Sequence, residues 1–260
     1  MRPHAQGPNR LLAAAVAIAA VCGTLPVFAQ RGGPPPAPRQ AAPIDLTGYW
    51  VSLVTEDWRY RVVTPPKGDY ASVPLNPAGR KAADGWDPVR DASAGEQCRA
   101  YGVAGVMHLP GRLYITWPDD RTLRIETDAG TQVRTLSFGD RPAAAAADWQ
   151  GASRASWDRG DSPMGGGIFF GGGGARGASL KVITTGMKPG YLRRNGVPYS
   201  ANAVITEYFD RFDVPGGDTL LVIATEVVDS TYLSQPFWTS TQFKRQRDAT
   251  GWKPTPCSVP

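Results

Sequence analysis

Short apolar runs, each ended by Gly, Pro, Asn or Asp, follow one another through most of this 260-residue chain. Runs of about four to eight residues that are rich in β-branched and aromatic side chains are typical of strands. The alternation of strands with long helices that a doubly wound parallel sheet requires is absent from the pattern. The sequence therefore predicts a mainly β domain, an antiparallel sandwich or barrel. The predicted strands are 49–55, 58–64, 103–109, 112–117, 122–127, 131–138, 180–185, 203–212, 219–228 and 237–245.

Residues 75–83 predict one short helix among these strands. Asn76 is a preferred N-cap residue, and Pro77 suits the first helical turn because its missing N–H would have no partner there. Residues 140–178 interrupt the strand pattern with an alanine run and a glycine-rich stretch. We interpret this segment as a Gly-rich insertion.

The N-terminus predicts export. Basic residues precede an apolar run at 11–20, and the segment ends in Val27-Phe28-Ala29 before Gln30, with the small residue Ala29 at the predicted cut site. This arrangement is typical of a signal peptide, residues 1–29, and predicts a periplasmic or secreted protein. Cys22 offers a lipoprotein alternative, for which Val21 is a poor preceding residue. Residues 30–43 predict a disordered Pro-rich tether, and residues 44–260 a single domain.

Removal of the signal peptide would leave one histidine, His108, and two cysteines, Cys98 and Cys257. This inventory excludes a histidine metal cage and a multi-cysteine zinc site, so we expect no metal and no cofactor. In an oxidising compartment the two thiols are expected to form a Cys98–Cys257 disulfide, with two free thiols as the alternative.

The charge pattern argues against nucleic acid as a partner. The formal net charge is +5, and the basic residues are scattered rather than concentrated on one segment. Nucleic-acid binding requires a concentrated basic face. No second long apolar run follows the signal peptide, so we expect no transmembrane segment in the mature chain.

The first predicted strand opens with Gly48-Tyr49-Trp50. A Gly-x-Trp at this position resembles the entry motif of the lipocalin/calycin β-barrels. The resemblance implies an up-and-down lipocalin-like barrel in which Trp50 plugs the closed end.

Further segments lie mostly in the second half of the chain. They are Trp149-Gln150-Gly151, Leu180-Lys181-Val182, the run from Gly190 to Pro198, Thr206-Glu207, Tyr232-Leu233, Gln235-Pro236-Phe237 and Pro256-Cys257. This pattern is similar to uncharacterised secreted proteins of environmental bacteria. That family has no established activity, so the resemblance implies fold and export but no chemistry.

Two glutamates occupy otherwise apolar strand faces, because side chains alternate between the faces of a strand. Glu207 shares a face with Ile205 and Phe209, and Glu226 shares one with Val222 and Val228. A carboxyl on a buried face must be paired or have a raised pKa, which is one way to make a general acid or base. Salt bridges to neighbouring arginines are the alternative. His108, beside a turn, is the candidate proton donor.

Aromatic and donor side chains supply candidates for ligand binding. Arg134, on an inward-type face, is either the partner of a buried glutamate or an anion-binding group. The others lie in segments predicted to be loops, where functional residues are often found. They are Trp149, Tyr191, Arg193, Asn195 and Tyr199.

Three functions remain open for an exported barrel of this kind. The leading hypothesis is binding of a small, partly apolar molecule in the barrel. The second is a cofactor-free acid/base enzyme, an isomerase, cyclase or hydratase, that uses Glu207 or Glu226 with His108. The third is a cell-envelope interaction module that contacts its partner through the tether and the Gly-rich insertion.

Overall fold

Strands dominate the computed structural model, which describes residues 35–139, 148–158 and 178–259. The predicted signal peptide and the glycine-rich stretch lie outside the described residues. The strands are β1 (Gly48–Leu53), β2 (Arg112–Asp119), β3 (Thr122–Thr127), β4 (Ala129–Gly130), β5 (Val133–Phe138), β6 (Ala152–Asp158), β7 (Ser179–Thr185), β8 (Gly190–Arg193), β9 (Val197–Tyr199), β10 (Val204–Asp213), β11 (Thr219–Val228), β12 (Phe237–Gln246) and β13 (Thr255–Pro256). The helices are α1 (Trp58–Arg61), α2 (Pro77–Asp84), α3 (Pro88–Ser93), a 3₁₀ helix at Gln97–Tyr101, and α4 (Val103–Val106). None of the described helices is long and apolar enough to cross a membrane.

Nine of the described strands close into a barrel in the order β1-β2-β3-β5-β6-β7-β10-β11-β12, with β12 returning to β1. Neighbours follow sequence order around the whole barrel. The β5–β6 pair is parallel, whereas the other described barrel pairs are antiparallel. An odd number of strands cannot alternate in direction around a closed ring. The barrel is therefore mixed, and it departs at this pair from the wholly antiparallel order that the sequence predicts.

Alternation along each strand sends apolar side chains into the barrel. In β11, Leu221 and Ile223 are fully buried, while Leu220 and Val222 lie half-buried on the outer face. Side chains from opposite strands meet across the interior and fill it. The core of the barrel comprises Trp50, Leu113, Ile115, Leu123, Ile125, Leu136, Phe138, Leu180, Val182, Phe209, Leu221, Ile223 and Phe243, together with Leu46, Val106, Met107 and Ala155.

One end of the barrel, where β1 begins and β12 ends, is the sealed end. Trp117, Phe138 and Trp157 pack there with ring centroids 5.4 to 6.4 Å apart. Trp157 Nε1 donates a hydrogen bond of 2.8 Å to the carbonyl of Pro38. Pro38, which belongs to the predicted tether, therefore contacts the sealed end of the barrel. Trp50 is fully buried nearby and donates to the carbonyl of Leu46.

The opposite end, where β1 ends and β12 begins, is the covered end. Residues 54–111, which join β1 to β2, lie there with the β8–β9 hairpin. Apolar side chains of this covering layer pack on the ends of β10 and β11, and Val103, Leu192 and Val197 belong to the same cluster as Ile205 and Val227. The two ends of the barrel are therefore closed by different parts of the chain.

The covering layer corrects two predicted strands. Residues 58–64 contain α1, which begins at Trp58, and residues 103–109 contain α4. Both runs are rich in valine, and a short apolar run does not distinguish a helix from a strand by its composition. Residues 58–64 are in fact largely exposed, with Val62 and Val63 more than half exposed. In α4, Gly105 allows close packing, because a Cβ there would lie 2.6 Å from the carbonyl oxygen of Ala100 and 2.8 Å from that of Tyr191.

Other elements agree with the sequence or were missed by it. The predicted helix is α2, and Asn76 caps it by accepting a hydrogen bond of 2.8 Å from the N–H of Gly79. The short helix α3 and the 3₁₀ helix were not predicted. Strand β6 lies inside the segment interpreted as an insertion. Its inward residues Ser153 and Ala155 are small, so the apolar alternation that marks the other strands is weak there.

The predicted disulfide between Cys98 and Cys257 is present. It joins the 3₁₀ helix to the C-terminal tail across 159 residues of sequence. Next to it, β13 pairs with β4, and the N–H of Thr255 donates to the carbonyl of Asp128 at 2.8 Å. The disulfide therefore fixes the tail beside the covering layer.

We predict that the double variant Cys98→Ser/Cys257→Ser loses about 2–5 kcal/mol of unfolding free energy, because the cross-link restricts a long loop in the unfolded chain. Urea unfolding of wild type and variant measures this loss, and reduced wild type is the control. Hydrogen exchange at Thr255 should become fast in the variant. An unchanged urea midpoint would contradict the prediction.

Candidate ligand site at the covered end of the barrel

A buried ion pair crosses the barrel interior on the side of the covered end. Arg134 of β5 donates to Glu207 of β10 through both Nη atoms, with an Nη1–Oε1 distance of 3.0 Å. The two side chains are 0% and 1% exposed. A bidentate pair of this kind satisfies both charges inside the barrel. Glu207 therefore forms a salt bridge with an arginine, which was the alternative to a role as general acid or base.

Glu226 lies elsewhere. The β10–β11 register places Glu207 opposite Thr225, and Thr225 points into the barrel. Glu226, one residue further along β11, therefore points outward, where it is half-buried and opposite Trp238. The two glutamates do not share a cavity.

These two glutamates provide a matched test of stability. Glu207→Gln should cost about 3–5 kcal/mol of unfolding free energy, because it leaves the Arg134 guanidinium buried without a counter-charge. Glu226→Gln, on the neighbouring strand but on the outer face, should change the unfolding free energy by less than about 0.5 kcal/mol. Chemical denaturation of both variants checks this. Equal losses would show that the interior pair has no special role.

Three residues of the β8–β9 region hold the covering layer together. Tyr191 donates to Asp91 at 2.7 Å, and burial followed by this hydrogen bond raises the pKa of Tyr191. Asn195 donates to the carbonyls of Pro66 and Asp69. Tyr199 is fully buried, and this burial raises the pKa of its phenol. Gly196, at φ +82°, lies against the ring of Trp86 in the turn between β8 and β9.

Trp149 also belongs to the framework. Its carbonyl accepts the N–H of Val103 at 3.0 Å, and Lys188 lies 5.4 Å from its ring centroid. The ring is half-buried and lies outside the lining of the cavity described next.

A cavity between α1, α4, β8 and the start of β12 brings polar and apolar groups together at the covered end. Its volume is about 20 Å³, counted as the space open to the centres of water molecules, and it is partly open to solvent. This volume suffices for about one water molecule. The polar lining residues are Asp57, Tyr60, Arg61, His108, Arg193, Arg194 and Thr239, and the apolar lining includes Ala100, Leu109, Leu192 and Phe237.

Two of the lining arginines are nine-tenths buried. Arg61 is 3% exposed and Arg193 is 8% exposed. Arg61 donates through Nε to the carbonyl of His108 at 2.9 Å and through Nη2 to Ser52, while Arg193 donates to the carbonyl of Ala71 at 2.6 Å and lies 4.0 Å from the ring centroid of Tyr60. These contacts fix both guanidinium groups in position.

Each lining arginine retains a buried nitrogen without a hydrogen-bond acceptor among the described residues: Nη1 of Arg61, Nη2 of Arg193 and Nε of Arg194. Within the described residues, none of the three forms a salt bridge with a carboxylate. Burial lowers the pKa of Arg61 and of Arg193, and the charge of Asp57 opposes that shift. The cavity therefore has a surplus of positive charge.

The positive charge of the cavity also acts on His108. Burial, followed by the charges of Arg61 and Arg193, lowers the pKa of His108 from 6.5 to about 3. The imidazole is therefore neutral at pH 7, and it is a poor proton donor there. It can accept or donate one hydrogen bond at the cavity wall.

We predict that His108 destabilises the folded protein as the solution is acidified. Between pH 6.5 and 3 the unfolded chain binds a proton at this position and the folded protein does not, so stability that is complete above pH 6.5 is lost as the pH falls. The loss should approach about 1.4 kcal/mol per pH unit. The stability difference between wild type and His108→Asn, measured by denaturation from pH 7 to 4, isolates this slope. Parallel pH profiles would contradict it.

The sequence identified part of this lining. Arg193 and His108 were predicted site residues, and both line the cavity. Arg61, Tyr60 and Asp57 were missed because residues 58–64 were interpreted as a strand. The available signal was local: a tyrosine between Arg59 and Arg61, three residues after Asp57. Of the other predicted residues, Arg134, Glu207 and Tyr199 are buried in the interior or the covering layer.

Comparison with known proteins gives no identity. No family profile, no curated protein and no solved structure matches this chain. Within the described parts of the chain, no three His, Cys, Asp or Glu side chains are grouped so as to hold a metal ion. The chemistry of the site therefore rests on its own geometry.

Proposed function

We propose that this protein binds a small, partly apolar molecule in the arginine-lined cavity at the covered end of its barrel. One observation carries the proposal. Arg61 and Arg193 are almost fully buried, line one cavity, and have donor nitrogens without acceptors among the described residues. Buried donors are satisfied in nearly all native proteins. A ligand that enters the cavity would supply the missing acceptors.

The shape and lining of the cavity support a small ligand. The cavity is small and partly open to solvent. Leu109, Leu192 and Phe237 provide apolar contact beside the arginines. Sites that bind small molecules commonly combine a mainly apolar wall with a few fixed polar groups. Binding thus takes place outside the barrel interior, whose core is packed with side chains.

The geometry favours binding over acid/base catalysis. Glu207 is held by Arg134 inside the barrel, and Glu226 is on the outer face. His108 lines the cavity but is neutral and only weakly basic, because its pKa is lowered to about 3. A general acid or base works best with a pKa near the working pH. His108 does not meet that condition, and the two glutamates lie outside the lining of the cavity.

Two broader expectations belong to the same proposal. The chain is proposed to be exported, and the Cys98–Cys257 disulfide supports an oxidising compartment. The barrel is proposed to be of calycin type, which the closed barrel and the buried Trp50 after Gly48 support. The barrel departs from the eight-stranded up-and-down order of lipocalins in two ways: its β5–β6 pair is parallel, and nine of the described strands form it.

A thermal-shift experiment with hexanoate, hexylamine and hexanol tests the binding proposal. These probes share one apolar chain and carry negative, positive and no charge. Because a ligand stabilises the folded state to which it binds, at least one probe should raise the Tm of wild type in a concentration-dependent way. Arg61→Met should reduce that shift, since the variant removes a donor at the cavity wall.

The matched control is Arg124→Met, which removes an arginine that pairs with Glu126 on the outer face of the barrel. It should retain the full Tm shift. If Arg61→Met does not fold, the half-buried Arg194 offers a second variant, Arg194→Met, with the same expected loss of response. A panel in which no probe shifts the Tm, or in which both cavity variants respond like wild type, would overturn the proposal.

A further inference from the structure

We infer that the molecule bound at the covered end is an organic acid, whose carboxylate accepts hydrogen bonds from Arg61, Arg193 and Arg194 and whose apolar part contacts Leu192 and Phe237. The inference rests on the proposed function and adds the chemical class of the ligand. It also assigns a role to each part of the cavity wall.

The charge of the cavity requires an anion. Three arginines line it, His108 is neutral at pH 7, and Asp57 is the one carboxylate in the lining. Asp57 forms no salt bridge with any of the three arginines in the described residues. Buried charges in proteins are normally paired because an isolated charge in a low-dielectric environment is costly. A bound anion would neutralise the two almost fully buried guanidinium groups.

Another buried arginine of this chain, in the barrel interior, provides a comparison. Arg134, 1% exposed, has an internal carboxylate partner in Glu207. Arg61 and Arg193 are buried to a similar degree, but neither forms a salt bridge with a carboxylate among the described residues, and the charge of Asp57 acts on both without a direct ion pair. This contrast assigns the missing negative charge to the ligand rather than to the fold.

The apolar half of the wall distinguishes an organic acid from an inorganic anion. Ala100, Leu109, Leu192 and Phe237 line the cavity beside the arginines. Contact with these side chains would favour each methylene group that a ligand buries and would contribute nothing for inorganic phosphate. Guanidinium groups bind carboxylates through short charge-assisted hydrogen bonds.

A comparison of hexanoate with hexanamide tests the inference, because the two probes differ mainly in the charge of the head group. Isothermal titration at pH 7 should show that hexanoate binds at least about tenfold more tightly than hexanamide, since hydrogen bonds to a charged acceptor exceed those to a neutral one. The preference should fall in Arg194→Met and disappear in Arg61→Met. Arg124→Met should keep it. Raising the salt concentration should weaken hexanoate more than hexanamide.

The imidazole of His108 gives an independent readout. An anion beside it offsets the positive field of Arg61 and Arg193, so hexanesulfonate, which stays ionised in the acid range where His108 titrates, should raise the pKa of His108 in an NMR titration, and hexanamide should not. His4 is the other histidine of the chain, and the His108→Asn spectrum separates the two signals. Asp57 and Tyr60 also line the cavity, and Asp57→Asn should leave the direction of the shift unchanged.

Each remaining outcome overturns the inference in a recognisable way. Equal affinity for hexanoate and hexanamide would remove the anion requirement but leave small-molecule binding intact. Binding of phosphate without binding of hexanoate would show a site for inorganic anions. A Tm shift with hexylamine or hexanol but none with hexanoate would reject the organic acid while the proposed binding function stands. A chain that binds none of the probes would lose both proposals.

Discussion

Closure of the sheet between β1 and β12 is the constraint on which the rest of the molecule depends. The register runs from Tyr49 opposite Gln246 to Leu53 opposite Gln242, so the first and last barrel strands share a full ladder of hydrogen bonds. Trp50 lies in the interior at this seam, and the guanidinium of Arg245 lies 5.6 Å from its ring centroid while donating to Asp45. A closed barrel has no edge strand, so a ligand can reach buried groups only through its two ends.

The two ends solve the same problem with different chemistry. At the sealed end, three aromatic rings and the carbonyl of Pro38 complete an apolar core. At the covered end, strand interiors become polar, and the covering layer is built from short helices and a hairpin whose side chains are partly charged. A guanidinium placed there is shielded from water by its own framework. The position of Arg61 and Arg193 is thus a consequence of covering a polar barrel end with charged chain.

The alternation of apolar and polar residues was sufficient to predict most of the barrel strands, but it did not show which face of each strand points into the barrel. The limits of β3 and β11 match the predicted strands, because their turns are sharp and their apolar residues regular. The sequence placed Glu226 on a buried face, whereas its side chain points outward. Strand β11 is apolar on both faces from Leu220 to Ile223, so only the register with β10 decides which face points into the barrel. The Cys98–Cys257 disulfide was predictable because residues 30–260 contain no other thiol.

The site itself was harder to predict, because it is assembled from contacts that no local pattern records. Arg61 and Arg193 are separated by more than half of the barrel strands in sequence, and they meet only because residues 54–111 and the β8–β9 hairpin return to the same barrel end. Periodicity identifies which residues are buried together within one strand. It carries no information about which loop covers which end, and so it could not show that two arginines and a histidine share a cavity.

One physical cause connects the neutral histidine to the proposed ligand. The covering layer shields Arg61 and Arg193 almost fully and His108 partly from water, and a lower local dielectric strengthens every charge interaction among them. Burial is the larger cause that lowers the pKa of His108 to about 3, and repulsion by Arg61 and Arg193 is the second. This repulsion is the same field that would attract an anion. By linkage, an anion that raises the pKa of this imidazole must itself bind more tightly when the imidazole is protonated. Acidification thus acts in two opposite directions on this protein: it reduces the stability of the unliganded fold through His108, and it increases the affinity of the cavity for an acid that stays ionised.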